Sequence, residues 1–440
     1  MDPLLATLIL ILFAFLGARF SFSAESVPAG PRLLFRTGTH FIFVGFVLGP
    51  SAMEFVTEDA LEHLFPFLAL GLGWVGLLFG LQFERDTLRA FPLRLHLFSA
   101  GQALLTFAMF SGAGLAVLFS LGMVGSSEVL LVLSAAATAC ISAPAGIAII
   151  SSNFLVRGPV REMLLFVASM DAVIGIAILQ VVYSTYHVAD TSVLLGTVPA
   201  PLWTLLAIGI GVLCGIIFVW LTRIRTEVEE LVLFLMGITA FTAGAALQLQ
   251  LSPLFVCLVT GVVVGNLVPD PRRVYRIMAK WEKPVYVVFL MLAGALLDFP
   301  SLWILPLAFG YAILRAGAKI VACGAMVRIA HPGFDIPRLL GLGLIPQGGV
   351  SLAMALSAYL TFYELEVEGV DAGQTLFSVV VLGVVLSELV GPVFTTRTLR
   401  RAGEISSRVE EALSERDDQL ARTQAARHTP GADLDSDLEL

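Results

Sequence analysis

Long apolar runs alternate with short polar connections from the start of the chain to about Gly403. A helix needs about 20 apolar residues to cross a bilayer. Runs of that kind fall near 3–22, 35–52, 65–83, 95–122, 128–152, 162–184, 201–221, 229–248, 252–268, 284–298, 301–329, 338–361 and 373–395. The pattern predicts an all-α polytopic membrane protein with about thirteen transmembrane helices. Two of these spans are interrupted. The fifth breaks at Cys140, Ile141, Ser142, Ala143 and Pro144, and the twelfth at Pro346, Gln347, Gly348 and Gly349. The opening Met1-Asp2-Pro3 has no basic n-region and no convincing cleavage site, so the first run reads as a retained helix. Beyond Gly403 the chain turns polar. Residues 404–440 read as a cytoplasmic tail, with a short charged helix over 404–422 and a disordered remainder.

Composition agrees with this reading. Of 440 residues, 58% are hydrophobic and only 14% charged, too few charges to solvate a soluble domain of this length. The net charge of −8 lacks the basic face that nucleic acid requires. No glycine-rich turn between strand and helix offers a nucleotide site. Cys140, Cys214, Cys257 and Cys323 all fall in apolar spans without metal-ligand spacing, and read as small core residues. No cofactor is expected, and no metal beyond a transported ion.

Loop charge sets the orientation. Basic residues follow spans 1, 3, 5, 7, 9 and 11: Arg32; Arg85 and Arg89; Arg157 and Arg161; Arg223 and Arg225; Arg272, Arg273, Arg276, Lys280 and Lys283; Arg328. The intervening connections are neutral or acidic, among them Glu54, Glu58, Asp59 and Glu62, then Asp190, then Glu364, Glu366 and Glu368. By the positive-inside rule the N-terminus lies outside and the C-terminus in the cytoplasm of a cell-membrane protein. Six spans, a linking span and six more place the second set upside down relative to the first. Spans 5 and 12 then correspond, and their breaks cross as two interrupted helices at matched positions of an inverted repeat, a pointer to a midplane binding site.

Four ionisable residues lie well inside spans: Asp171, Arg315, Lys319 and Glu388. A lone acid in an apolar span is costly and by default marks an ion or proton path. Arg315 and Lys319, at i and i+4, share one helix face, and either could pair with Asp171. Glu388 reads as the partner of a structural ion pair. Burial disfavours a charged carboxylate and a nearby cation favours it, so Asp171 can exchange a proton for a small hard cation but cannot hold both. Thr138 and Ser142 hydroxyls and freed carbonyls of the break would complete an oxygen-rich site. A hydrolytic reading, with Ser142, His96 and Asp171 as a triad, has nothing to bring His96 to the others. The chain is not expected to be an enzyme. The other histidines, His40, His63, His187, His331 and His428, fall at span ends or in loops.

These residues carry a likeness. The chain resembles the monovalent cation:proton antiporter superfamily, the sodium/hydrogen exchanger-like membrane domain. Gly45-Phe46-Val47-Leu48-Gly49-Pro50 is similar to that family's glycine-rich second span, and Gly76 through Phe83 to the end of its third. Ser142-Ala143-Pro144 stands where members have Thr-Asp-Pro or Thr-Ser-Pro, and Met170-Asp171 where they have a polar residue and Asp. Pro346-Gln347-Gly348-Gly349 resembles Pro-Arg-Gly-Glu, while Ser387 through Pro392 and Arg401 through Glu404 resemble the last span. Three departures stand out: Met170 for a polar residue, Ala143 for an acid or hydroxyl, and Gln347 and Gly349 for Arg and Glu. In a second register Asp171 would match the first acid of an Asp-Asp pair and Ala172 the second.

The resemblance implies a dimerisation domain from helices 1–3 (residues 1–92) and 8–10 (227–300). A mobile core follows from helices 4–6 (93–190) and 11–13 (301–403), with 199–226 as the linking helix. Asp171 would bind the ion, and Lys319 or Arg315 would be the basic residue of the core. The expected function is exchange of Na+ or K+ for H+ by alternating access in a homodimer, electroneutral with one core carboxylate. A cation-coupled solute symporter on the same fold is the alternative, as is a non-transporting sensor or partner-binding protein.

Overall fold

The computed structural model describes residues 38, 40–186, 199–223, 227–299, 302–330, 336–337, 339–363, 365–367 and 370–405. The first predicted span, with Arg32, His187, Asp190, Arg225, His331, Glu364, Glu368 and the tail beyond Ile405, lies outside them.

The first half runs α1 (His40–Leu48), α2 (Glu58–His63), α3 (Phe65–Leu81), α4 (Arg85–Arg89), α5 (Leu93–Leu121), α6 (Ser126–Ala139), α7 (Pro144–Asn153) and α8 (Pro159–Tyr186). Next come α9 (Ala200–Leu221), α10 (Val228–Gln248), α11 (Pro253–Leu267), α12 (Pro271–Ala295) and α13 (Ile304–Ala330). A 3-10 turn (Leu340–Leu344) and α14 (Gly348–Thr361) precede a minimal hairpin, β1 (Glu366–Val367) with β2 (Val370–Asp371), and α15 (Ala372–Arg401) ends the described chain. Among the described residues seven helical segments are long and apolar enough to cross a membrane, and shorter apolar helices supply the others. Every predicted span from the second to the thirteenth therefore has a helical counterpart.

Both interruptions are present. α6 and α7 are separated by residues 140–143, which leave the helix through a turn at Cys140 and are extended at Ala143, with Pro144 opening α7 where its fixed φ suits a first helical turn. The twelfth span begins as only a 3-10 turn, is interrupted over 345–347 and restarts at Gly348, whose φ of +66° favours glycine. One stretch differs from the sequence reading. Arg272, Arg273, Arg276, Lys280 and Lys283, expected in a loop, lie on α12, which starts well before the apolar run. Asp270 caps it by accepting from the Arg273 N–H (3.0 Å), with Pro271 at the first position.

The packing has the symmetry that the topology implied. α1 lies along α12 and α3 along α11, the same pairing with the two halves exchanged. α5 packs on α13; α8 packs on α5, α6 and α7, as α15 packs on α13 and α14. Backbones approach closely where glycine allows it. A Cβ at Gly80 would run into the Leu258 carbonyl, one at Gly261 into that of Leu77, and one at Gly45 into that of Met291. Such contacts of small residues join helices in lipid, where no hydrophobic force holds them. α9 touches α8, α10 and α11, connecting the two halves. Apart from the minimal hairpin of β1 and β2, the protein is a helical, polytopic membrane protein of two inverted repeats.

Candidate functional site

The two breaks meet face to face. The Ala143 N–H donates to the Pro346 carbonyl (2.8 Å), joining one interrupted helix to the other through their backbones. Arg315, from the middle of α13, sits between them at zero exposure. Its guanidinium donates to the Ile345 carbonyl (2.7 Å), to the Ile141 carbonyl and, at 3.4 Å, to the Leu344 carbonyl. These are the carbonyls released where each first half-helix ends, which carry the negative pole of the helix dipole. The planar fork of arginine suits several diverging acceptors at once. Arg315 is thus held by the breaks and does not contact Asp171.

Lys319, one turn further along α13, does. Its Nζ lies 2.6 Å from Asp171 Oδ2, and both side chains have zero exposure. Ser142 Oγ donates to the same carboxylate oxygen (2.8 Å), and the Gln102 amide donates to Oδ1. Gln102 also accepts from Lys319 through its own Oε1 (3.3 Å). Four spans therefore converge on one carboxylate: α5 through Gln102, the α6–α7 break through Ser142, α8 through Asp171 and α13 through Lys319. It is the one ion pair among the described residues.

Other expected residues are placed differently. The Thr138 hydroxyl donates to the Ala135 carbonyl (2.7 Å) and lies 3.1 Å from the Tyr311 hydroxyl, so it is not among the partners of Asp171. Gln347 reaches across the crossing, its amide nitrogen donating to the Thr138 carbonyl (3.1 Å) and the Tyr311 hydroxyl (2.5 Å). Glu388 makes no ion pair among the described residues. Its Oε1 accepts the N–H groups of Gln347 (3.0 Å) and Gly348 (2.8 Å), at the start of α14. A carboxylate there complements the positive pole of the half-helix, a role a nearby cation would have filled in the sequence reading. Cys140 and Ile141 lie buried in the break, and Cys140 Sγ approaches the Ala103 and Ala136 carbonyls.

Sequence reasoning passed over Gln102 and Tyr311. The available signals were slight: a lone amide inside the fourth span, and a tyrosine one turn before Arg315. Met170, next to Asp171, lines a cavity of about 890 Å3 together with Ser169, Glu84, Glu162, Asp270 and Arg276. A second cavity, about 440 Å3, lies between α3, α12 and the breaks and is lined by Pro144, Gln347, Gly348, Tyr286 and Glu388. A Cβ at Gly349 would meet the Tyr286 hydroxyl, so the bare backbone here lets the Tyr286 ring close against the start of α14.

Crossed, interrupted helices around buried charges define a membrane protein of the secondary-transporter class. The chain belongs to the sodium/hydrogen exchanger transmembrane family, whose profile matches residues 26–401. It is a family of transporters, not of enzymes. The fold is similar to that of the sodium proton antiporter MjNhaP1 from Methanocaldococcus jannaschii at pH 8, with a TM-score of 0.67 and 15% identity over 91% of this chain and 100% of that one. An electron-microscopy map of the same antiporter gives a TM-score of 0.60 and 16% identity, over 94% of this chain and 99% of that one. No curated relative matches the sequence.

Proposed function

We propose that the protein exchanges a monovalent cation, Na+ or K+, for H+ across the membrane, with Asp171 as the cation-binding carboxylate. The observation that carries this reading is the Asp171–Lys319 pair: a fully buried carboxylate with exactly one positive charge beside it. The pair is neutral as it stands. A cation that takes the place of the ammonium leaves the site with an extra charge, unless Lys319 gives up a proton at the same time. One cation enters, one proton leaves from Nζ, and the buried charge is unchanged, which makes the exchange electroneutral. A cycle in which Asp171 also took up a proton would be electrogenic. Asp171, Ser142 and Gln102 supply the oxygens that a hard cation prefers.

Family membership supports the class of cargo. The neighbouring fold, that of a sodium proton antiporter, supports the same class of cargo here. In the proposed cycle 93–190 and 301–403 move against a dimeric scaffold of 1–92 and 227–300 in alternating access. The cytoplasmic side is that of the basic connections. The test is cation-driven pH change in proteoliposomes, with Na+, Li+ and K+ run in parallel. Wild-type protein is expected to alkalinise or acidify the lumen according to the cation gradient, without a membrane potential. Asp171→Asn abolishes the signal, and full activity in that variant rejects the mechanism.

A further inference from the structure

Each break has a buried carboxylate from the last helix of its own repeat. Asp171 of α8 faces the α6–α7 break, and Glu388 of α15 faces the break before α14. Their surroundings differ. Asp171 has an ammonium and two side-chain donors. Glu388, 1% exposed, has two backbone N–H groups on Oε1 and no partner on Oε2. The Gln347 Oε1, at zero exposure, also has no partner, since only its amide nitrogen is engaged.

Both residues line the 440 Å3 cavity. The two residues, lining this one cavity, thus each keep an acceptor oxygen without a partner. Buried acceptors are costly unless something donates to them, and a buried charge is costlier still. The neighbouring charged groups do not meet this demand. Arg315 lies close enough for its charge to act on Glu388, but its Nη groups donate to three carbonyls of the breaks and its Nε donates to neither oxygen. Lys319 pairs with Asp171, and the titratable groups lining the cavity besides Glu388 are the phenols Tyr275 and Tyr286. The N-terminus of α14 offsets part of the charge, leaving room for one positive charge and excluding an anion.

We propose that Glu388 and Gln347 form a second binding site, separate from Asp171, which takes one monovalent cation or one proton in competition. The cavity gives it access between α12 and the breaks without passage through the Asp171 cluster. The site stands on oxygens that the Asp171 exchange does not use, so the two readings can fail independently.

Calorimetric titration of the purified full-length chain in detergent tests it, with NaCl, LiCl or KCl as titrant above a choline chloride background. Asp171→Asn is expected to retain saturable binding of at least one of these cations. That binding weakens by about tenfold for each pH unit below the titration of the site, as a proton competes. Glu388→Gln in the Asp171→Asn background keeps the backbone-accepting oxygen but removes the charge, and weakens the binding by about tenfold or more. Gln347→Leu, which leaves the carboxylate intact, weakens it several-fold. Loss of all cation binding in Asp171→Asn alone overturns the proposal, as does residual binding that Glu388→Gln leaves unchanged. Either result leaves exchange at Asp171 standing. Thermal melts of each variant separate lost binding from lost folding, and Gln347→Leu provides the reading if Glu388→Gln does not fold.

Discussion

Lys319 and Asp171 are 2.6 Å apart with no exposure, so neither charge can be removed without stranding the other in the interior. Removing one partner of a buried pair costs about 3–5 kcal/mol. Lys319→Gln and Asp171→Asn are each expected to lower the stability of the purified protein by about that amount, less whatever the site relaxes. The double variant should lose clearly less than the sum, because no charge then remains unpaired. Thermal melting of the four proteins in one detergent measures the coupling, and additive losses would show that the pair does not hold together. Gln102 makes this cluster specific, since its one amide donates to Asp171 and accepts from Lys319. Its importance was not legible in the sequence, where a lone neutral amide in an apolar span carries no large cost and names no partner.

At the scale of elements, the interrupted helices work because their freed backbone groups find partners. Arg315 takes the carbonyl ends, Glu388 takes the N–H groups of α14, and Ala143 and Pro346 bind each other. The helix that carries Asp171 is secured in the same manner at its N-terminal end. The Glu404 carboxylate, just past α15, accepts the N–H groups of Val160 (2.7 Å) and Arg161 (2.9 Å) in the first turn of α8. The end of the second repeat therefore caps the last helix of the first. Glu404→Ala should cost about 1 kcal/mol, as loss of a helix cap does. Glu404→Gln, which keeps one accepting oxygen, should cost less; a melting series in detergent distinguishes the two. Equal melting of Glu404→Ala and wild type would mean that the contact holds nothing. The breaks themselves were legible from proline and glycine. That the twelfth span would begin as a 3-10 turn was not, because Gly341 owes its place to close approach against the Lys319 carbonyl of α13.

Across the whole molecule, the alternating loop charges and the exchanged pairings α1–α12 and α3–α11 describe one arrangement repeated upside down. It places the loop before α6 and the loop before α8 on opposite membrane faces. Ser126 and Arg157 are both exposed, whereas the four native cysteines are buried. Ser126→Cys is expected to react with an impermeant maleimide added to intact cells, and Arg157→Cys only in inverted vesicles. Labelling of both from one side would reject the orientation. The positions of the predicted spans from the second to the thirteenth carried over into the structure because a span is a local property of about 20 consecutive residues, and bilayer thickness sets that length.

The sequence by itself determined where the helices run, where two of them break, and that Asp171, Arg315, Lys319 and Glu388 would need an explanation inside the membrane. Those features follow from local hydrophobicity, from the backbone chemistry of proline and glycine, and from the cost of a charge in lipid. Only the tertiary structure decided which charge meets which. Arg315 and Lys319 share a helix face one turn apart, yet one lies at the crossing of the breaks and the other at the carboxylate. A difference of one helical turn, about 5.4 Å, is invisible in a pattern of apolar and polar positions and decisive for a hydrogen bond. Glu388 went to a helix end instead of a cation for the same reason. The partner of a buried charge is set by the crossing of distant helices, and that crossing exists only once the two repeats have packed.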